Sequence, residues 1–367
     1  MGLGQGTLES LAMSQGFWRG KSVFVTGHTG FKGGWLALWL STLGARVHGY
    51  ALQAATEPNL FEVADIAGVL SSHTLGDVRD AGHLSRSLHR AQPDIVLHLA
   101  AQPLVRYSYR QPVETYATNV MGTVHLLDAV RSCESVRAVV NVTTDKCYVI
   151  KEWAWGYRES DQLGGHDPYA SSKACSELIT ASFRDSYFAA SGVAVATARA
   201  GNVIGGGDWS GDRIVPDFLR AADSGRVLEV RSPAAIRPWQ HVLEPLGGYL
   251  MLAERLHSAG QPAAQAWNFG PVDDDARPVG ELLDMLSAAL PGARWRAQGG
   301  DHPHEAAYLK LDSSKARSEL RWRPRWDLAH AVARTVEWHS AWRGGEDMQA
   351  YSREQIAEHQ GRMPVAA

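Results

Sequence analysis

Ser22-Val-Phe-Val-Thr26 runs directly into Gly27-His28-Thr29-Gly30-Phe31-Lys32-Gly33, and Trp35 to Leu43 follows with Leu36, Trp39, Leu40 and Leu43 at helical spacing. A β-rich run, a glycine-spaced loop and an amphipathic helix in that order begin a β-α-β unit, whose second strand is Arg46 to Tyr50. The glycines allow a tight turn and close backbone approach, while a helix start offers free N–H groups and partial positive charge. That combination suits a pyrophosphate. A turn without a ligand is the alternative reading, and the strand-loop-helix context weighs against it.

Working outward, strands are expected at His73 to Asp77, Ile95 to Ala100, Val139 to Thr143 and Val193 to Ala198, with helices at Val113 to Arg131 and Tyr169 to Ala190. Parallel strands need crossover connections, so this alternation predicts an α/β fold with a doubly wound, Rossmann-type parallel sheet. Residues 1–16 read as a flexible tail and 17–200 as the dinucleotide-binding domain. After Gly201 the chain turns Gly/Asp/Pro-rich, leaving a helix near Glu244 to Leu256, a strand at Trp267 to Phe269 and a helix near Val279 to Leu290. Residues 239–270 are expected to return to the first domain, 201–238 and 271–345 to form a smaller α+β substrate domain, and 346–367 to be a C-terminal tail.

With 367 residues, 45% of them hydrophobic, the chain is long enough for a sizeable core. A formal net charge of -3 gives no global field to draw in nucleic acid or a membrane surface, so anions must be recognised locally. No membrane-length apolar run or leader pattern is visible, and a cytoplasmic location is expected. Cys133, Cys147 and Cys175 are odd in number and lack metal-type spacing, which fits reduced thiols. His302-x-His304-Glu305 is too short a cluster to hold a metal, and none is expected.

Chemistry concentrates in Val142-Thr143-Thr144-Asp145-Lys146-Cys147-Tyr148 and in Tyr169-x-x-x-Lys173. Tyr169 and Lys173 lie one helical turn apart, so the ammonium is expected to lower the phenol pKa and to hold a nicotinamide ribose. Tyr169 is then expected to act as base for a substrate hydroxyl, and Thr144 to hold that oxygen. Asp145 and Lys146 form an additional acid/base pair at a strand end, although an exposed ion pair remains the alternative. Cys147 reads as a small buried side chain rather than a nucleophile.

The G-x-x-G-x-x-G spacing resembles the extended short-chain dehydrogenase/reductase superfamily. The resemblance extends to Asp77-Val78 as an adenine-contacting pair, to Leu99-Ala100-Ala101-Gln102 along the pyrophosphate, and to Asn119 as a helix-shaping residue. It implies that Gly27, His28, Gly30, Phe31, Lys32, Gly33, Asp77, Val78, Leu99, Ala100, Ala101, Tyr169 and Lys173 bind a dinucleotide. The second strand ends in Gly49-Tyr50-Ala51-Leu52, with neither the usual ribose-binding carboxylate nor an arginine for a 2'-phosphate. NAD is favoured over NADP, and Lys32 or the loop around Gln53 is left to hold the adenosine ribose.

Asp145 resembles the acid of the nucleotide-sugar 4,6-dehydratases within that superfamily. Most of them carry Glu where this chain has Lys146, and Asp-Lys-Cys-Tyr is similar in particular to the branch acting on CDP-glucose. The resemblance implies oxidation at C4, protonation of the leaving 6-hydroxyl by Asp145, removal of the C5 proton and hydride return to C6. Lys146 is either the C5 base, if its amine is neutral, or a stabiliser of the enolate. Gln102, Arg106, Asn202, Asp208, Arg213, Arg237 and His241 are the implied substrate contacts, with arginine suited to bidentate phosphate pairing. A homodimer built on Val113 to Arg131 and Tyr169 to Ala190, or a tetramer, is also implied. The rivals are a nucleotide-sugar 4-epimerase, which has no 6-hydroxyl to protonate, and a catalytically silent dinucleotide sensor.

Overall fold

The computed structural model describes residues 16–299 and 309–361. Residues 1–15 of the expected tail and the His302-x-His304-Glu305 loop lie outside the described residues. At the centre runs β1 (Ser22–Thr26), whose residues are all buried, as a parallel strand covered on both faces requires. Around it stand β2 (Arg46–Ala51), β3 (Ser72–Leu75), β4 (Ile95–His98), β5 (Ala138–Val142), β6 (Ala194–Ala200) and a seventh strand, Ala266–Phe269. The spatial order is seventh-β6-β5-β4-β1-β2-β3, and every neighbouring pair is parallel. The chain reverses its direction of travel between β1 and β4, which opens a crevice at their carboxyl ends.

Alternation along the strands divides the core into two layers. Val23, Val25, Leu97, Val140, Ala196 and Ala198 pack against α1 (Phe31–Thr42) and the helix Leu243–Ala259, through Trp35, Trp39, Leu246 and Leu250. Phe24, Val96, Val139 and Val195 face the other way, onto Leu84, Leu88, Leu126 and Val130. A separate core forms from Phe218, Leu282, Leu283, Leu286 and Val332, contributed by the helices Ile214–Asp223, Val279–Ala289 and Leu328–Gly344. It is bound together by short strand pairs, including Val227–Val230 beside Arg294–Ala297.

The expected tail at 346–367 is instead structured over most of its described part. Met348–His359 is a helix with Met348, Ser352, Ile356 and His359 buried. Its anchors are polar: His359 Nε2 lies 2.9 Å from Glu244 Oε1, and Trp338 Nε1 donates to Ser352 Oγ at 2.9 Å. A helix docked through polar contacts lacks the apolar stripe by which sequence reveals it.

Candidate active site

Where β1 meets α1, Gly27 adopts φ +78°, and a Cβ there would stand 2.8 Å from the Ala100 amide nitrogen. A Cβ on Gly33 would overlap the Gly27 carbonyl oxygen. Only glycine permits this packing, and it leaves the start of α1 open, for Gly30 caps the helix without a side-chain hydrogen bond. A cleft of about 1900 Å³ spreads from this loop over the ends of β2 to β6. That exceeds the ~300–1,000 Å³ of an ordinary small-molecule site. It accommodates two ligands side by side.

Gly27, Gly30, Phe31, Lys32, Gly33, Asp77, Val78, Leu99, Ala100 and Ala101 line one arm of the cleft, together with Thr29, Leu52 and Gln53. The uncapped helix start and the closely packed glycines fit the pyrophosphate of NAD. Asp77 is fixed by Arg79, which donates from its backbone N at 2.8 Å and from Nε at 2.9 Å. His28 departs from expectation: its ring is fully buried, 2.7 Å from His73 Nδ1 and edge-on to Phe61, behind the loop and away from the cleft. The loop meets its ligand through backbone, so a side chain between its glycines is free to point into the core.

The catalytic candidates converge at the end of β5. Thr144 Oγ1 donates to Asp145 Oδ1 at 3.1 Å, and Lys146 Nζ reaches the same oxygen at 3.3 Å. Asp145 is fully buried, and its Oδ2 has no hydrogen-bond partner among the described residues. Room for Oδ2 is made by Gly201, where a Cβ would come within 2.8 Å of it. Lys146 is 31% exposed and paired with Asp145.

Tyr169 and Lys173 project from the helix Pro168–Phe183, which begins with Pro168 and is capped by Asp167, whose carboxylate accepts from the Ala170 amide at 2.9 Å. Burial pushes the Tyr169 phenol up to about 12, countered in part by its hydrogen bond to Thr144 and by the Arg213 cation. The Lys173 amine donates to the Val142 carbonyl at 3.0 Å. Burial also brings Lys173 down to about 8, against the opposing influence of Glu177. Arg213 is among the groups that favour the phenolate, and its Nη1 donates to Asp208 Oδ2 at 2.8 Å.

Beneath the site, buried Arg199 pairs with Glu177, donating from Nε at 2.9 Å and Nη2 at 2.8 Å. Glu177 also accepts from Thr143 and Thr197, binding β5, β6 and the catalytic helix into one unit. Asn119, in a π-helical turn at Ala117–Met121, exchanges hydrogen bonds with the Gln102 backbone and donates to Ser172 Oγ at 2.9 Å. Cys147 is fully buried, and desolvation lifts its thiol well above the ordinary range, so it is no nucleophile.

Of the expected substrate contacts, Arg106, Asn202, Asp208, Arg213 and Arg237 line the cleft. Gln102 does not: its amide is spent on Thr115 Oγ1 at 2.9 Å and on the Leu104 amide at 2.6 Å. His241 is fully buried between Trp35 and Trp326, with Nδ1 accepting from the Leu243 amide at 3.3 Å. The sequence reading missed the part played by Gly201. It also missed the far wall of Leu228, Arg231, Ser232 and Gln298, which follows no recognisable spacing. Among the described residues no group of His, Cys, Asp and Glu is arranged to hold a metal, and no helix is long and apolar enough to cross a membrane.

Comparison with known proteins agrees with this geometry. The family model described as GDP-mannose 4,6 dehydratase matches residues 24–260. A CDP-glucose 4,6-dehydratase of Salmonella typhimurium is 52% identical over 353 residues, covering 95% of this chain and 98% of its own length. A solved dTDP-glucose 4,6-dehydratase from Streptomyces venezuelae, with NAD and TYD bound, is 27% identical with a TM-score of 0.69, over 89% of this chain and 98% of that one. A UDP-glucose-4-epimerase from Stenotrophomonas maltophila, at 21% identity and TM-score 0.75 over 89% of this chain and 99% of that one, shares the fold. By fold, by glycine loop and by the Thr-Asp and Tyr-x-x-x-Lys constellation, the chain belongs to the GDP-mannose 4,6 dehydratase family of the extended short-chain dehydrogenases/reductases.

Proposed function

We propose that the protein converts CDP-D-glucose to CDP-4-dehydro-6-deoxy-D-glucose and water. NAD, when bound, supplies the acceptor that takes hydride from C4 and returns it to C6. Tyr169 removes the 4-hydroxyl proton, with Thr144 holding the oxygen and Arg213 favouring the phenolate. The ketone at C4 then acidifies C5–H, because the resulting carbanion spreads into the carbonyl. Asp145 gives its proton to O6 as the C6–O6 bond breaks, and Lys146 steadies the negative charge beside it. Asn202, Arg106 and Arg237, which line the cleft, meet the sugar and its diphosphate in this reading.

The observation supporting dehydration over epimerisation is Asp145 itself: a fully buried acid whose free oxygen faces a space kept open by Gly201. CDP as the carrier rests on the 52% identical relative. A panel of CDP-, dTDP-, UDP- and GDP-glucose, scored by the absorbance of the 4-keto product in alkali, tests the assignment. Only CDP-glucose is expected to turn over well; turnover of dTDP-glucose alone contradicts it.

The protein acts as a homodimer in this reading. Val113 (82% exposed), Tyr116, Met121, Leu178 and Tyr187 leave an apolar surface on the segments 112–131 and 168–188. A cytoplasmic place, suited to its free Cys133, Cys147 and Cys175, and a role in supplying deoxysugars for cell-surface polysaccharide complete the proposal.

A further inference from the structure

Arg199, Glu177 and Tyr148 are buried and stand outside the lining of the cleft, so none of them meets a ligand directly. From β6, Arg199 works in two directions. Its Nε and Nη2 fork onto Glu177, one turn beyond Lys173 on the catalytic helix, at 2.9 and 2.8 Å. Its Nη1 donates to Tyr148 Oη at 2.7 Å and to the Glu159 carbonyl at 3.2 Å, in the segment that follows Asp145. Glu177 accepts in turn from Thr143, so Asp145 is bracketed: Thr143 before it and Tyr148 after it are tied to the same ion pair. Tyr148 carries the tie onward, donating to Asn268 Oδ1 at 2.8 Å and stacking on Tyr157 with ring centres 5.2 Å apart.

A buried ion pair adds little net stability, because its attraction has to offset the hydration that both charges give up. A guanidinium adds geometry instead, since its planar, rigid donors meet a carboxylate on two oxygens at once and leave another edge free. We propose that Arg199 is a positioning residue for the dehydration: gripping the catalytic helix on one edge and the segment after β5 on the other, it sets Asp145 against Tyr169. This rests on the dehydratase reading and deepens it. Oxidation at C4 uses Tyr169 and protonation of O6 uses Asp145, two groups on different elements that must both meet one hexose. A misplacement of about 1 Å between them costs on the order of 100-fold in rate.

Three variants of the full-length holoprotein test this with CDP-glucose. Arg199→Lys keeps a charge opposite Glu177 but gives up the rigid fork and the second edge. It is expected to hold KM within about threefold of wild type and to lose about 100-fold in kcat. The pair Glu177→Met/Arg199→Met removes both charges together and leaves no unpaired ion in the core. Its thermal midpoint should be at least that of Arg199→Lys while kcat falls as far, a separation of stability from turnover that a purely structural ion pair does not produce. Tyr148→Phe severs only the edge beside Asp145. In single turnovers it should reduce the nicotinamide at the wild-type rate and lose water about tenfold more slowly. If Arg199→Lys does not fold, the other two variants decide. An ion-pair variant whose kcat per folded molecule stays within about threefold of wild type, or that is altered in KM alone, overturns the proposal and leaves the pair a part of the fold. So does a Tyr148→Phe protein that matches wild type in both steps. Failure of the dehydratase reading looks different: wild type then makes no 4-keto product from CDP-glucose, which overturns both.

Discussion

Asp145 depends on a residue with no functional group. Its carboxyl is fixed through Oδ1 by Thr144 and Lys146, while Oδ2 occupies space that exists because residue 201 has no Cβ. Gly201→Ala should therefore displace the carboxyl and mimic Asp145→Asn. Both variants are expected to keep cofactor reduction on CDP-glucose and to lose water about 100- to 10,000-fold more slowly, the usual range for a proton-transfer group. Stopped-flow absorbance set against 4-keto product measures the two steps separately, and unchanged dehydration in Gly201→Ala removes this support. Thr144, Asp145, Tyr169 and Lys173, singled out by type and spacing, do line one cleft. The part played by Gly201 was not legible, since it acts by leaving space.

At the scale of elements, strands buried on both faces announced themselves as apolar runs, and β1 lies where Ser22 to Thr26 was expected. The helices Ile214–Asp223, Leu328–Gly344 and Met348–His359 went unrecognised. Leu328–Gly344 starts on an Asp327 cap and packs through Leu328, Val332 and Val336, and Met348–His359 is held in part by Glu244 meeting His359. The β1-α1 loop carries a pH dependence of its own. Burial first, and His73 second, bring His28 down to about 4. Its folded pKa lies below its unfolded one, so the unfolded chain binds more protons in the window between them, and stability is lost as pH falls from about 6.5 toward 4. On the order of 3 kcal/mol is at stake. Thermal unfolding of the apoprotein should steepen its decline across that window, and His28→Asn should flatten it; equal slopes would contradict this account of the loop.

Over the whole molecule, one sheet edge-to-edge supplies both halves of the site. The ends of β1 to β4 provide the cofactor arm, the ends of β5 and β6 and the helix Pro168–Phe183 bring in Thr144, Asp145, Asn202, Tyr169 and Lys173, and the second core forms the far wall through Leu228, Arg231 and Ser232. The doubly wound fold could be read from the order of elements, whereas the far wall is assembled from distant segments that no local pattern links. A cleft shared by two ligands is what allows hydrogen to leave one sugar carbon and return to another. The most direct test follows that hydrogen. CDP-glucose deuterated at C4 is converted by the purified protein, and the product is examined by NMR. The account predicts one deuterium in a new methyl group at C6 and a ketone at C4; deuterium restored to C4 with the 6-hydroxyl intact, or an unlabelled methyl, would contradict it.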